Sequence, residues 1–314
     1  MRRVALAFDT SNYTTSCALF DGENGENSGR LLDVEPGQLG LRQSDALFSH
    51  VKRLPDIVRE IGLSGCSIIA VGASTRPREI ENSYMPCFLA GSSQGEVLAS
   101  ALSVPFYAFS HQQGHIAAAL WSAGRTELLD KPHLAWHLSG GTTELLFVRP
   151  GGSTVICQII GGTSDISAGQ VVDRTGKLLG LNFPSGRELD KLAADSRKQE
   201  CWKPKTNGLM FSLSGVEHKI KERCSAGEAP EETAYFALAS VFSAVAEVTA
   251  KAQNQYGGIP VLYSGGVASN SLLRKLTPRG IFAEPKYSTD NALGTAILTW
   301  REHCAAPCSG VCNG

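Results

Sequence analysis

Two histidines four residues apart, in His111-Gln-Gln-Gly-His115, are answered far downstream by the motif Ser288-Thr-Asp-Asn291. On a helix, positions i and i+4 share one face, so both imidazoles can reach a single cation. Neutral imidazole suits divalent transition metals, and a distant carboxylate such as Asp290 would supply a third ligand. A lone pair of this kind is equally at home at a solvated helix start. Its setting sets it apart: three glycine-rich or polar turns, each following an apolar strand-like run.

Those turns are Asp9-Thr-Ser-Asn-Tyr-Thr-Thr-Ser16, Ser139-Gly-Gly-Thr-Thr143 and Ser264-Gly-Gly-Val-Ala-Ser-Asn270. They present hydroxyls and backbone N–H groups without bulky side chains, which suits phosphate or carboxylate oxygens. One such turn is an ordinary hairpin. Two of them, with Asp9 and Ser11 in the first and Ser139, Gly140, Gly141 and Thr142 in the second, together with a third, suggest a nucleotide held between two lobes. Gly265 and Gly266 in the third let the backbone approach a base or sugar closely. Asp173 and Asp190 flank Pro184-Ser-Gly186. They are open to two readings, solvated helix faces or carboxylates holding ribose hydroxyls or a cation.

The elements that would position these groups alternate. Val4 to Phe8 reads as a buried strand and Cys17 to Phe20 as its hairpin mate, with Gly22 to Gly29 a loop. Leu47, Val51, Leu54, Val58 and Ile61 recur at helical spacing, bent or restarted at Pro55. Ile68 to Ala73 is a strand, Gly91 to Ala101 a helix, Pro105 to Phe109 a strand and His111 to Trp121 a helix. The second half restarts the scheme with Leu134 to Leu138, a turn, and Glu144 to Val148. Helices follow at Val171 to Leu179 and Glu231 to Ala250, then a strand at Ile259 to Tyr263 and a helix starting near Asn270. The alternation predicts an α/β protein, and the echo of strand, polar turn, strand predicts two related domains.

Composition sets the outer bounds. The 314 residues suffice for two domains, and 42% hydrophobic with 19% charged residues is ordinary globular usage. A net charge of -1 gives no global attraction to nucleic acid, so any RNA contact needs a local basic patch or a partner. Lys203 with Lys205, and Lys219, Lys221 and Arg223, are the candidate patches. Met1 to Asp9 reads as a first strand and not a signal peptide, and no membrane span is expected. The nine cysteines are odd in number and scattered, which predicts reduced thiols in a cytoplasmic protein. Cys304, Cys308 and Cys312 beside His303 are either a frayed terminus or a soft-metal or iron–sulfur site.

In their joint order these motifs resemble the tRNA threonylcarbamoyladenosine transferase family, long misnamed O-sialoglycoprotein endopeptidase. His111-Gln-Gln-Gly-His115 is similar to its His-x-x-Gly-His metal motif. Leu138-Ser-Gly-Gly-Thr-Thr-Glu-Leu145 resembles its second phosphate turn, the run Asp165 to Gly186 its central signature, and Phe211-Ser-Leu-Ser-Gly215 its Phe-Ser-Phe-Ser-Gly. Ser264 to Asn270 resembles its adenosine turn and Ser288 to Asn291 its last metal motif. The resemblance implies an actin/sugar-kinase/Hsp70-like fold of two ribonuclease-H-like lobes around a nucleotide cleft. The lobes would cover 1–132 and 133–314, with a last helix at about 290–302 packing back on the first. It implies one divalent metal, iron or zinc, on His111, His115 and Asp290. Substrate contacts would fall on Leu138 through Thr142, Asp173, Gly186, Asp190 and Asn270. The implied reaction moves threonylcarbamoyl from its adenylate to N6 of a tRNA adenosine, in a complex with protein partners or as a homodimer.

The chain departs from the family's pattern near the reacting end. Asp9-Thr-Ser-Asn-Tyr-Thr stands for Glu-Thr-Ser-Cys-Asp-Glu-Thr, and Thr142 for a histidine. Arg174 stands for a lysine, Ser185 for a glycine and Glu217 for a lysine. Arg76 to Pro86 stands for a Gly-Pro-Gly-Leu segment. Two functions therefore stay open: a transferase, with this or another acceptor, and a non-catalytic nucleotide-binding paralogue serving as a partner. A metalloprotease is disfavoured, because no Glu general base sits between the histidines at His-Glu-x-x-His spacing.

Overall fold

The structure is a computed structural model that describes residues 1–11, 13–33, 41–80 and 83–306. The chain divides into two compact units. One comprises Met1–Asp130, Arg149–Cys157 and the chain from Asp290; the other comprises Lys131–Val148 and Gln158–Thr289.

The first unit is built on a five-stranded sheet of order β3-β2-β1-β4-β5. Strand β1 (Arg2–Asp9) is buried from Val4 onward, as its continuous apolar run requires of a strand covered on both faces. It pairs antiparallel with β2 (Thr14–Phe20), which pairs antiparallel with β3 (Gly25–Leu31). On its other side β1 runs parallel to β4 (Cys66–Arg76), and β4 parallel to β5 (Phe106–Ser110). Strand β3 corrects the expected loop at Gly22 to Gly29. Its sequence, Gly-Glu-Asn-Ser-Gly-Arg-Leu, is polar and largely exposed, and only backbone pairing with β2 makes it a strand.

Helix α1 (Gln43–Ile61) runs unbroken through Pro55. Its buried face is Ala46, His50, Leu54 and Ile57, whereas Val51 is exposed, so the apolar stripe read from Leu47 and Val51 is displaced by one residue. The sequence hides this because a histidine occupies the core stripe; His50 Nδ1 lies 2.8 Å from the Thr15 hydroxyl. Helices α2 (Leu89–Leu102) and α3 (His111–Ser122) follow. The last helix, α9 (Leu293–Ala305), is buried from Leu293 through Thr299 and packs on α3, β1 and β4.

The second unit carries strands β6 (His133–Leu138), β7 (Thr143–Gly151), β8 (Thr154–Thr163), β9 (Thr206–Asn207), β10 (Met210–Phe211), β11 (Val261–Ser264) and β12 (Ile281–Phe282). Their order is β12-β11-β6-β7-β8-β10-β9. Strand β6 pairs antiparallel with β7 and parallel with β11, which is parallel to β12. The run β8-β7-β6-β11-β12 thus repeats the order β3-β2-β1-β4-β5, the physical content of the echo between the Asp9 and Ser139 turns.

Helices α4 (Ala168–Leu178), α5 (Gly186–Ala194), α6 (Ser214–Ser225), α7 (Pro230–Gln255) and α8 (Ser271–Leu276) complete the second unit. Trp136, Val241, Phe242, Val245 and Tyr263 lie at the centre of its core. By length and composition α7 could cross a membrane, contrary to the expectation that no segment could, but 72% of its apolar stretch is buried inside the unit. It is apolar because it is a core helix.

Candidate metal centre and nucleotide turns

Strand β5 ends where α3 begins, and Ser110 caps the helix. Its hydroxyl accepts from the Gln113 N–H, while the Gln113 side chain accepts from the Ser110 N–H. The Gln113 amide in turn donates to the Val155 carbonyl at 2.8 Å. The first turn of α3 is therefore fixed, and it carries His111 and His115.

Asp290 is delivered by the close crossing of α3 and α9. A Cβ added at Gly294 would lie 1.7 Å from the Gly114 carbonyl oxygen, and one at Gly114 would lie 2.9 Å from Thr295 Oγ1. Glycine at both positions lets the helices approach this closely. Within the first unit, His111 Nε2 is then 3.3 Å and His115 Nε2 3.2 Å from the same atom, Asp290 Oδ1. One donor atom from each of the three lies within 4.8 Å of the others. Bond lengths of ~2.0–2.2 Å to a tetrahedral cation place its donors roughly 3.3 Å apart, so the set fits a transition metal.

His111 has a second partner. Its Nδ1 is 2.8 Å from Asp9 Oδ2. Asp9, at the end of β1, is only 1% exposed. Its Oδ1 accepts from the N–H and hydroxyl of Ser11, at 3.0 and 2.6 Å, and its Oδ2 accepts from the Ser74 hydroxyl at 2.5 Å. Burial opposes the imidazolium form of His111, but the carboxylates of Asp9 and Asp290 outweigh it and raise the pKa to about 10. Burial likewise opposes the Asp290 carboxylate, yet the two histidines hold its carboxyl far below the usual range. The same negative charge that favours an imidazolium favours a divalent cation.

The second and third turns leave the same end of neighbouring parallel strands, β6 and β11, where ligands of open α/β sheets characteristically bind. The second turn is closed by the Ser139 N–H donating to the Thr142 carbonyl and by the Thr142 N–H donating to Ser139 Oγ. Leu138 before it is buried; Gly140 and Gly141 are exposed, with open space where a side chain would stand. The N-terminus of α4 abuts this turn, with the Ser167 hydroxyl donating to the Gly140 carbonyl at 2.6 Å. In the third turn Gly265 has φ +92°, and a Cβ there would lie 2.2 Å from the Leu138 carbonyl oxygen. Gly266 beside it is exposed and unobstructed.

The remaining candidates have structural partners. Asp173 Oδ1 accepts from the Ser185 N–H at 2.9 Å, just before Gly186 opens α5. Both oxygens of Asp190 accept from Ser271, and Asn270 Oδ1 caps α8 through Leu272 and Leu273. These bonds tie α5 to the third turn.

Sequence reasoning missed Asp165. Its Oδ1 accepts from the Leu213 N–H, and its Oδ2 from the Ser212 hydroxyl and the Ser214 N–H, at the start of α6. Burial works against its charge, but these hydrogen bonds hold its carboxyl well below the ordinary range. One carboxylate thus joins the central signature to Phe211-Ser-Leu-Ser-Gly215. A signal existed: an acid opening one motif and orphan helix N–H groups opening another.

In the second candidate basic patch Lys221 pairs with Glu217 and Arg223 with Glu200 and Glu228, while Lys219 Nζ lies over the Trp202 ring. Cys304 is exposed at the end of α9, while Cys308 and Cys312 lie outside the described residues.

The repeated sheet order defines a two-unit α/β protein of the actin/sugar-kinase/Hsp70-like class. Solved structures share this fold. HypF from T. kodakarensis matches 96% of this chain at a TM-score of 0.59 and 14% identity; the chain spans about half of HypF, 48% of its length. Component A of the Acidaminococcus fermentans (R)-2-hydroxyglutaryl-CoA dehydratase matches 96% of this chain and 99% of its own at 0.54, with 14% identity. The family model for tRNA N6-adenosine threonylcarbamoyltransferase matches residues 84–297. A Thermus thermophilus tRNA N6-adenosine threonylcarbamoyltransferase is 32% identical over 271 residues, 81% of this chain and 78% of its own. The chain belongs to the tRNA N6-adenosine threonylcarbamoyltransferase family. The span matched by the family model holds all three candidate ligands and begins after the Asp9 turn.

Proposed function

We propose that this chain is a metal-dependent acyltransferase that moves threonylcarbamoyl from its adenylate to the N6 amine of a tRNA adenosine. The observation that carries the reading is the convergence of His111, His115 and Asp290 on one point, in a chain of this family. Two imidazoles and a carboxylate suit iron or zinc and leave positions open for substrate. A cation held there would act as a Lewis acid on a carbonyl or hold the threonyl carboxylate.

In the second unit, the amides of Ser139 through Thr142 would receive the adenylate phosphate and stabilise charge as it leaves. Gly266, exposed and free of neighbours, would let the adenosine lie against the backbone, with the Asp190–Ser271 and Asn270 bonds holding that turn rigid. A net charge of -1, with Lys221 and Arg223 paired to carboxylates, gives the chain no global attraction to tRNA. The tRNA is therefore bound in a complex, with a protein partner or a second copy supplying the basic face. The odd number and scatter of the nine cysteines lead us to propose a cytoplasmic setting.

A second reading has specific support. Thr142 ends the second turn where the family carries a histidine, and Asp9 opens the first where the family carries a glutamate. Groups near the reacting end are thus altered while the frame is intact, as in a nucleotide-binding paralogue without catalysis or a transferase with another acceptor. Mass spectrometry of nucleosides from tRNA incubated with metal-loaded protein and threonylcarbamoyl-adenylate, with and without candidate partners, separates the readings. Modified adenosine supports the transferase. Its absence with every partner, alongside tight nucleotide binding, supports the paralogue.

A further inference from the structure

We propose that Asp9 is the positioning residue of the candidate metal centre: its buried carboxylate holds the Nδ1–H of His111 and so presents Nε2 to the cation. The inference rests on the His111–His115–Asp290 reading and adds a residue that the motif itself does not contain.

Both Asp9 oxygens are fixed. Ser11 donates to Oδ1 through its N–H and hydroxyl, and Ser74 donates to Oδ2 at 2.5 Å. Ser74 Oγ is in turn 3.1 Å from Thr295 Oγ1 on α9, the helix that follows Asp290. A carboxylate that is 1% exposed and held by three donors cannot rotate to suit a mobile ring; the ring must suit it. An ionised carboxylate only accepts, so His111 Nδ1, 2.8 Å from Oδ2, keeps its hydrogen, and Nε2 is the nitrogen whose proton a cation would replace. Nδ1 is thereby occupied and Nε2 is the end that can ligate. Nε2 is the nitrogen 3.3 Å from Asp290 Oδ1, on the side where His115 Nε2 also points. Ligand histidines commonly have such a carboxylate partner, which fixes ring orientation and raises ligand basicity.

The geometry also disposes of a rival. Ser11, His111 and Asp9 superficially form a Ser–His–Asp array, with Ser11 Oγ 3.4 Å from His111 Nε2. The Ser11 proton goes instead to Asp9 Oδ1 at 2.6 Å, and Ser11 is 1% exposed. Its hydroxyl is held by that carboxylate, and its burial closes it to a substrate carbonyl.

The test is zinc affinity of the full chain, measured by chelator competition, with cobalt(II) absorption as a report on the ligand set. Wild type is expected to bind one zinc, and the His111→Ala/His115→Ala variant none. Asp9→Asn, which keeps side-chain volume and removes charge, should weaken zinc about 10- to 100-fold and alter the cobalt spectrum. Ser74→Ala removes one hydrogen bond from the same oxygen and should weaken zinc less; it serves if Asp9→Asn does not fold. Ser16→Ala is the structural control: its hydroxyl bonds the Asp9 backbone carbonyl and not the carboxylate, so zinc affinity should be unchanged. Wild-type affinity and spectrum in Asp9→Asn, or in Ser74→Ala if only that variant folds, would overturn the positioning role and leave the three-ligand site standing. No metal bound by wild type would overturn both.

Discussion

At the scale of single residues, the three candidate ligands were legible because their chemistry is carried by side-chain type and spacing. Two histidines at helical spacing and a remote acid need no knowledge of the fold to be suspected. Asp9 was legible as a polar residue after a strand, but its contact with His111 was not, because it depends on where the ends of β1 and β5 fall in one sheet. The two glycines of the third turn looked equivalent in sequence and are not. Gly265→Val should destabilise the fold by roughly 1–3 kcal/mol or more, since it combines a left-handed φ with a clash against the Leu138 carbonyl. Gly266→Val, at an open and exposed position, should change stability by less than about 0.5 kcal/mol while weakening adenine nucleotide binding in calorimetry. Unaltered binding of AMP and of an acyl-adenylate analogue by a folded Gly266→Val protein would remove this turn from the ligand site.

At the scale of elements, the close crossing of α3 and α9 does most to build the candidate metal centre. Gly294→Ala would set a Cβ against the Gly114 carbonyl, and overpacking of this kind costs about 1–3 kcal/mol. The helices must separate, so zinc affinity should fall along with thermal stability; a variant that loses stability and keeps affinity would show that the crossing does not position Asp290. Asp165 acts on a second element by serving the orphan N–H groups of α6. Asp165→Asn should cost about 1 kcal/mol, as loss of a helix cap does. Its folded pKa is depressed, so the contribution is complete above the unfolded value near ~3.9 and is lost as pH falls through the folded one. Urea midpoints of wild type and variant should therefore differ at pH 7 and converge below about pH 4; a constant difference would contradict this. The elements misread from sequence failed for identifiable reasons. Strand β3 is a polar edge strand made by pairing alone, and the core stripe of α1 is disguised by His50, which is buried through Thr15.

At the scale of the whole molecule, the alternation of strands and helices and the repeated turn made the α/β class legible. The order β3-β2-β1-β4-β5 and its recurrence as β8-β7-β6-β11-β12 needed the pairings themselves, because parallel neighbours such as β6 and β11 are far apart in the chain. Family membership and fold leave one question at this scale, whether the altered turns still support transfer. The decisive measurement is mass-spectrometric detection of N6-threonylcarbamoyladenosine in tRNA, comparing metal-loaded wild type with His111→Ala/His115→Ala, each with threonylcarbamoyl-adenylate and candidate partners. A metal-dependent transferase gives modified adenosine with wild type and at least 100-fold less with the double variant, the order seen on removing one stabilising group from a catalytic site. Equal modification by both proteins would contradict the role of the His–His–Asp centre. No modification by wild type with any partner would contradict transferase activity itself.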